Sequence, residues 1–187
     1  MNSTQNDAGT LSAVQHWIAR AVIGLNLCPF AKSVYIKEQI RYVISLAASE
    51  HEVLGELERE LVLLADADPV KIDTTLLIVP HLFDDFLTFN DFLKRTSRTL
   101  KRTHLNGVLQ IASFHPAYQF ADRDEDDIEN YTNRAPYPIL HLLREASVAN
   151  AVAAFPDAAA IYERNQETLR RLGHEGWRAW MDQHGSD

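Results

Sequence analysis

The chain has one cysteine, Cys28, and only seven glycines and seven prolines in 187 residues. A single cysteine excludes an internal disulfide framework, and this usage is typical of a reducing compartment. No apolar run approaches the ~18 residues of a membrane span. Residues 1–10 lack the charged and apolar regions of a signal peptide. These absences predict a soluble, cytoplasmic protein without a membrane partner.

Basic residues are scarce relative to acidic ones. The sequence has 18 Lys and Arg against 26 Asp and Glu, which gives a formal net charge of −8 at pH 7. Non-specific binding of nucleic acid relies on Lys and Arg to neutralise phosphates, so no nucleic-acid partner is expected. The CxxC, GxSxG, HExxH, Walker and GxGxxG patterns are missing as well. A small-molecule ligand is the expected partner, and no motif indicates a nucleotide cofactor.

The length and the 46% hydrophobic content predict one globular domain. We place this domain at residues 11–184, between a disordered tail at 1–10 and a short tail at 185–187. Strands are indicated by β-branched or apolar runs, and helices by apolar residues three and four positions apart. The predicted strands are 41–47, 74–79 and 108–114, and the helices between them begin at Ser49 and at Asp84 or Asp85.

This order of elements predicts an α/β fold with a βαβαβ core, in which a small, mostly parallel sheet of three or four strands is flanked by helices. Crossovers between parallel strands bring the C-terminal strand ends to one edge, where open α/β sheets usually bind ligands. An N-terminal helix is expected to end at Gly24. The C-terminal part is predicted to be helical, at residues 138–152, at 160–172 before Gly173, and around Trp177 and Trp180.

The connection after the third strand is long and rich in side chains that can do chemistry. His115 follows this strand directly, and Pro116 restricts its backbone to an extended conformation. His81 follows the second strand, so the two histidines could share a site. We assign His115 as a catalytic acid or base; the alternative is that histidine is merely tolerated in surface loops.

The same connection contains amides and a guanidinium that suit an anionic or carbonyl-bearing ligand. We expect Gln119, Asn130, Asn133 and Arg134 to bind the substrate. The alternative for the two asparagines is turn chemistry, in which their side chains bond to nearby backbone.

Three further candidates lie on the predicted helix at 138–152. Its apolar stripe faces the core and leaves His141, Arg144 and Glu145 on the other side. His141 and Arg144 are expected to contact substrate, and Glu145 to act in catalysis. His141 and Glu145, four residues apart, could also ligate a divalent metal, although no specific motif supports one; the alternative is a solvated face with a weak ion pair.

Cys28 precedes Pro29, which can begin a helical turn and leave the thiol at the N-cap. That position lowers the pKa of a thiol and favours the nucleophilic thiolate, so Cys28 is a third catalytic candidate with His115 as its base. The alternative is a buried, small, apolar side chain.

Several segments carry a resemblance to a known family. NLCPFAK at 26–32, TTLLIVP at 74–80, ASFHPAYQF at 112–120 and YTNRAPYPILHLLREAS at 131–147 resemble the bacterial family catalogued as domain of unknown function 1415. The resemblance implies one complete globular unit, and it implies no activity, cofactor or catalytic residue.

Two classes of function remain open. The first is an enzyme, a hydrolase or a transferase, that acts on a small anionic metabolite by histidine acid–base chemistry. The second is a non-catalytic ligand-binding or homo-oligomeric assembly module, in which the aromatic side chains of the loop pack against a partner. Those side chains are Tyr118, Phe120, Tyr131 and Tyr137.

Overall fold

The computed structural model describes residues 2–154 and 160–183. Its core is one four-stranded sheet with the strand order β1-β2-β4-β3. The strands are β1 (Ile40–Ile44), β2 (Thr74–Ile78), β3 (Leu109–Phe114) and β4 (Ile139–Arg144). The helices are α1 (Asn2–Trp17), α2 (Ala31–Ile36), α3 (Glu50–Asp66), α4 (Phe86–Arg102), α5 (Glu145–Ala153) and α6 (Ala160–Asp182). The predicted α/β class with a helical C-terminal part is confirmed.

Strands β1, β2 and β3 run in one direction, as the βαβαβ pattern predicts. Strand β4 lies antiparallel between β2 and β3, so only the β1–β2 pair is parallel. The expected mostly parallel pairing is therefore corrected to one parallel and two antiparallel neighbouring pairs. The second crossover skips one strand position, and a later segment of the chain occupies the space.

The predicted helix at 138–152 is wrong over its first half. Residues Ile139–Arg144 form the central strand β4, and helix α5 begins only at Glu145. A short apolar run can read as a buried strand or a buried helix, because its periodicity does not separate the two. Here the free edges of β2 and β3 on either side of the segment favour the strand.

Two of the capping signals in the sequence are confirmed. Ser49 is the N-cap of α3, and its side chain accepts a hydrogen bond from the Glu52 amide. Asp85 caps α4 in the same way through the Thr88 amide. Gly173 has φ 63°, and this left-handed residue kinks α6 where the sequence predicts a helix end.

The N-terminal helix continues past α1 into a π-helical turn, Ile18–Ile23, and ends at Gly24 as predicted. The Gly24 amide donates to the Ala19 carbonyl five residues earlier. An added Cβ at Gly24 would collide with the Arg20 carbonyl oxygen, so only glycine fits. Helix α1 includes residues 2–10, which the sequence assigns to a tail, and the domain boundaries stay a prediction.

The two faces of the sheet pack against different helices. One face and helices α3 and α4 bury a core that includes Leu57, Leu77 and Phe89. The opposite face meets α1 and α6 around Trp17 and Leu169. Among the described residues, no helix is long and apolar enough to cross a membrane.

Candidate functional site

A cleft of about 820 Å³ opens over the second face of the sheet, between α2, α5 and the π-helical turn. Helices α1 and α6 bury only part of this face, and the cleft occupies the remainder. Most of its wall is apolar. The lining comes from Trp17, Ile18, Val22, Cys28, Pro29, Phe30, Ala31, Ser33, Val34, Lys37, Gln39, Ile40, Asp73, Thr74, Leu76, Gln110, Ala112, Phe114, His141, Leu143, Ser147, Val148, Asn150, Ala151 and Ala154.

His141 lies on the floor of this cleft. Alternation along β4 directs His141 to the cleft and its neighbours Leu140 and Leu142 to the opposite core. In the sheet register His141 stands between Leu76 of β2 and Ala112 of β3. The helical face on which the sequence places His141 does not exist, because His141 lies on strand β4. Contact of His141 with a substrate stays a prediction.

The hydrogen bonds of His141 define its tautomer. Its Nε2 lies 2.8 Å from Thr74 Oγ1, and Thr74 Oγ1 lies 2.6 Å from the carbonyl oxygen of Leu142. A carbonyl oxygen only accepts, so the Thr74 hydroxyl donates its proton there and accepts from Nε2. Burial lowers the pKa of His141 to about 4, so the ring is neutral at pH 7. Its proton therefore sits on Nε2, and Nδ1 holds a lone pair.

The remaining polar groups of the cleft are few and partly engaged. Ser147 donates to Asp73 Oδ1 over 2.6 Å. The Gln39 amide nitrogen bonds to the carbonyl oxygens of Pro69 and Val70. Lys37 is exposed at the end of α2. The polar groups therefore lie on a mainly apolar wall, and His141 is the only histidine among the described lining residues.

Cys28 lines the same cleft as His141, so the structure brings these two candidates together. Helix α2 begins at Ala31 with Phe30 as its N-cap, which corrects the expectation that Cys28 caps the helix. Burial raises the pKa of the Cys28 thiol, against a weaker lowering by the backbone amides of Phe30 and Ala31. Cys28 is therefore a thiol at neutral pH.

His115 lies elsewhere, buried to 1% exposure beside α4. Its Nε2 donates to the Phe83 carbonyl oxygen at 2.7 Å, and its Nδ1 accepts from the Ala117 amide at 3.0 Å. Phe89 stacks on the ring. Burial lowers the pKa of His115, although the Phe83 carbonyl and the carboxylates of Asp85 and Asp84 oppose this. Both ring nitrogens hold the loop in place, and a catalytic role stays a prediction.

The polar residues of the long loop between β3 and β4, residues 115–138, bond mainly to backbone groups. Asn130 is fully buried; it accepts from the Phe120 amide and donates to the carbonyls of Asp124 and Glu125. Gln119 donates to the Arg123 carbonyl oxygen, and Asn133 to that of Ser113. The Asn130 bonds stay near in sequence, as turn chemistry requires, whereas Asn133 reaches strand β3 20 residues away. Substrate binding by these residues stays a prediction.

Arg134 also stabilises the loop. Its guanidinium donates to the carbonyl oxygens of Tyr118 and Glu125 and lies 4.7 Å from the centre of the Tyr131 ring. Glu129, buried to 4% exposure, pairs with Arg123 of the loop and Arg170 of α6. None of Gln119, Asn130, Asn133 and Arg134 lines the cleft, and an anion site in the loop stays a prediction.

Arg144 and Glu145 lie outside the cleft that His141 lines. Arg144 points to the opposite face of the sheet, where it bonds to the carbonyl oxygens of Leu64, Ala67 and Ile72. Glu145 begins α5, and its amide donates to the Val108 carbonyl. Neither lines the cleft. Over residues 2–154 and 160–183, no group of three or more His, Cys, Asp or Glu could hold a metal ion.

The aromatic side chains of the loop contact other parts of the chain. Tyr118 packs on Phe86 with 5.0 Å between ring centres, and Tyr131 packs on Trp177 at 4.9 Å. Phe120 lies 5.0 Å from Tyr118, and Tyr137 packs against the core beneath α1 and α6. These contacts use the surface that the assembly hypothesis assigns to a partner, and that hypothesis stays a prediction.

Thr74 orients His141 but is not among the site residues predicted from the sequence. Thr74 and His141 are 67 residues apart, and only the sheet register brings them together. The sole sequence signal is a polar residue at the start of an apolar strand.

The architecture is that of an α/β protein with a cleft on one face of a mixed sheet. The chain belongs to the family described as Protein of unknown function (DUF1415), whose model matches residues 10–179. The resemblance seen in the sequence motifs is thereby confirmed. No curated protein and no solved structure matches the chain.

Proposed function

We propose that the protein binds a small, mostly apolar molecule in the cleft over the sheet. The observation that carries this is the cleft itself, whose volume of about 820 Å³ lies within the range of small-molecule sites, roughly 300–1,000 Å³. An apolar wall with few polar groups is also the usual lining of such sites. This is the non-catalytic ligand-binding function among the two classes left open by the sequence.

The chemistry of the wall favours an apolar ligand over a small anionic metabolite. Trp17, Phe30 and Phe114 contribute aromatic surface, and Lys37 contributes the only Lys or Arg side chain among the described lining residues. The arginines expected to hold an anion, Arg134 and Arg144, donate to backbone carbonyls elsewhere. Removal of apolar ligand surface from water would supply most of the affinity.

An enzymatic version of the site would use His141 rather than His115. The Nδ1 lone pair of His141 could accept a proton, but a pKa of about 4 makes the ring a weak base at neutral pH. The raised pKa of Cys28 likewise disfavours a nucleophilic thiolate. Binding is therefore the function that the geometry supports best.

A matched pair of variants on α5 tests this proposal. Ala151 lines the cleft, whereas Ala146 is exposed on the same helix outside it. Ala151→Trp fills the cleft, and Ala146→Trp adds the same side chain to the surface. A thermal-shift screen of apolar metabolites should give compounds that raise the Tm of wild type and Ala146→Trp.

The same compounds should leave the Tm of Ala151→Trp unchanged. Equal shifts in both variants would place the ligand outside the cleft and contradict the proposal. A screen in which no compound shifts the wild type would contradict it as well.

A further inference from the structure

We infer that the cleft selects ligands that donate a hydrogen bond, a hydroxyl or an N–H on an apolar body, and that Nδ1 of His141 is the acceptor. This inference rests on the proposed function and names the class of ligand within it. It follows from the order of donors and acceptors in the sheet beneath the cleft.

The hydrogen-bond chain His141–Thr74–Leu142 runs in one direction. The Leu142 carbonyl can only accept, so it takes the single proton of Thr74 Oγ1 over 2.6 Å. Thr74 Oγ1 must then accept from Nε2 of His141 over 2.8 Å. A neutral imidazole carries one N–H, and this one is committed to Thr74. Nδ1 can therefore offer only a lone pair.

This hydrogen-bond chain is held rigidly by the sheet. Thr74 is 4% exposed at the start of β2, and Leu142 belongs to the adjacent antiparallel strand β4. Both bonds therefore join two paired strands, and the ring cannot exchange its donor without breaking a buried bond. No described residue forms a hydrogen bond to Nδ1, so this acceptor is open to a group of a ligand.

The surroundings of the His141 ring are apolar. Phe114 lies 6.0 Å from His141 between ring centres, and Leu76 and Ala112 flank it in the sheet register. A ligand whose ether or methyl group covered Nδ1 would leave a desolvated acceptor without a partner. A ligand with a hydroxyl there would satisfy it, so the two should differ by about tenfold or more in Kd.

Three two-ring probes of the same shape test the inference: 2-naphthol, 2-methoxynaphthalene and naphthalene. Titration of the full chain by calorimetry should give a Kd for 2-naphthol at least about tenfold below those of the other two. Thr74→Val removes the acceptor for Nε2 and should reduce this preference to less than about threefold. Thr74→Ser keeps the hydroxyl and should retain it.

A second readout does not depend on ligand. Long-range ¹H–¹⁵N spectra of the imidazoles, assigned by loss of one signal in His141→Gln, should show the Nε2–H tautomer in wild type and Thr74→Ser. An Nδ1–H tautomer in wild type would overturn the inference.

The outcomes separate the two proposals. Equal binding of 2-naphthol and 2-methoxynaphthalene, both abolished by Ala151→Trp, would overturn the donor selectivity and leave the ligand-binding function standing. Failure of all three probes to bind would overturn the donor selectivity, and the metabolite screen with Ala151→Trp then decides the ligand-binding function.

Discussion

The guanidinium of Arg144 in β4 donates to the carbonyl oxygen of Leu64 near the end of α3, with 2.5 Å between Nη2 and oxygen. The same side chain reaches the carbonyls of Ala67 and Ile72. These carbonyls belong to the C-terminal end of α3 and the turn after it, which lack helical partners of their own. Arg144, at 8% exposure, therefore joins a central strand to the end of a helix.

Arg144→Leu should lower the free energy of unfolding by about 3 kcal/mol, because buried carbonyls lose a charged donor. Urea denaturation measures this. Arg102→Leu is the matched control, since Arg102 makes an exposed ion pair with Glu58 and its loss should cost about 1 kcal/mol or less. Equal effects of the two substitutions would contradict the capping role of Arg144.

Gly24→Ala should destabilise the chain by about 2 kcal/mol or more, because the added Cβ would collide with the Arg20 carbonyl at the end of the π-helical turn. Gly55→Ala is the control within α3. An added Cβ there meets Arg59 Nη1 at an ordinary 3.6 Å, so higher helix propensity should stabilise the chain by about 0.5–1 kcal/mol. Thermal unfolding of both variants gives the two signs, and a stabilised Gly24→Ala would refute the steric account.

His141 should make the stability depend on pH below neutrality. Burial lowers its pKa to about 4 in the folded chain, against about 6.5 when unfolded. As pH falls through this window the unfolded chain binds the proton first, so the stability present above about pH 6.5 declines toward pH 4, by up to about 3 kcal/mol.

The measurement is urea denaturation between pH 7.5 and 4.5. His141→Gln should flatten the slope relative to wild type and to the control His81→Gln, which replaces a histidine at an exposed position. The other titratable side chains lining the cleft, Cys28, Lys37 and Asp73, are present in all three proteins, as is His115, so they cancel in the comparison. An identical slope in His141→Gln would refute the assignment.

Cys28 should react slowly with a disulfide reagent, because burial raises its pKa and withholds the thiolate. The reference is an exposed thiol introduced by Ser97→Cys in a Cys28→Ser background, since Ser97 is exposed on α4. Absorbance measurements with an aromatic disulfide at pH 7.5 should show Cys28 reacting at least about tenfold more slowly. Faster reaction of Cys28 would instead support the nucleophile predicted from the sequence.

Local signals explain what the sequence predicts well. The N-caps Ser49 and Asp85 and the helix-ending Gly173 act over a few residues, so each is readable without the fold. Three strand positions follow from the same kind of signal, and their common direction follows from the helical crossovers between them. The α/β class could therefore be predicted from the sequence.

The site could not be predicted to the same extent. The apolar residues within Ile139–Arg144 fit both helical and strand spacing, so the pattern does not separate the two. Only the gap between β2 and β3 favours the strand. That choice moves His141 onto the sheet and separates it from Arg144. The loop residues are rich in functional groups because a long connection must satisfy its own backbone, and this requirement resembles a binding site in sequence.

The late position of β4 in the chain has a consequence for biosynthesis. As the polypeptide emerges from the ribosome, β1 and β2 can pair early, but β3 has no neighbour until residues 139–144 appear. Until then β2 and β3 each present an unpaired edge, the feature through which nascent chains associate with one another. Chains that end before Ile139 should therefore associate with one another more readily than chains that contain all of β4.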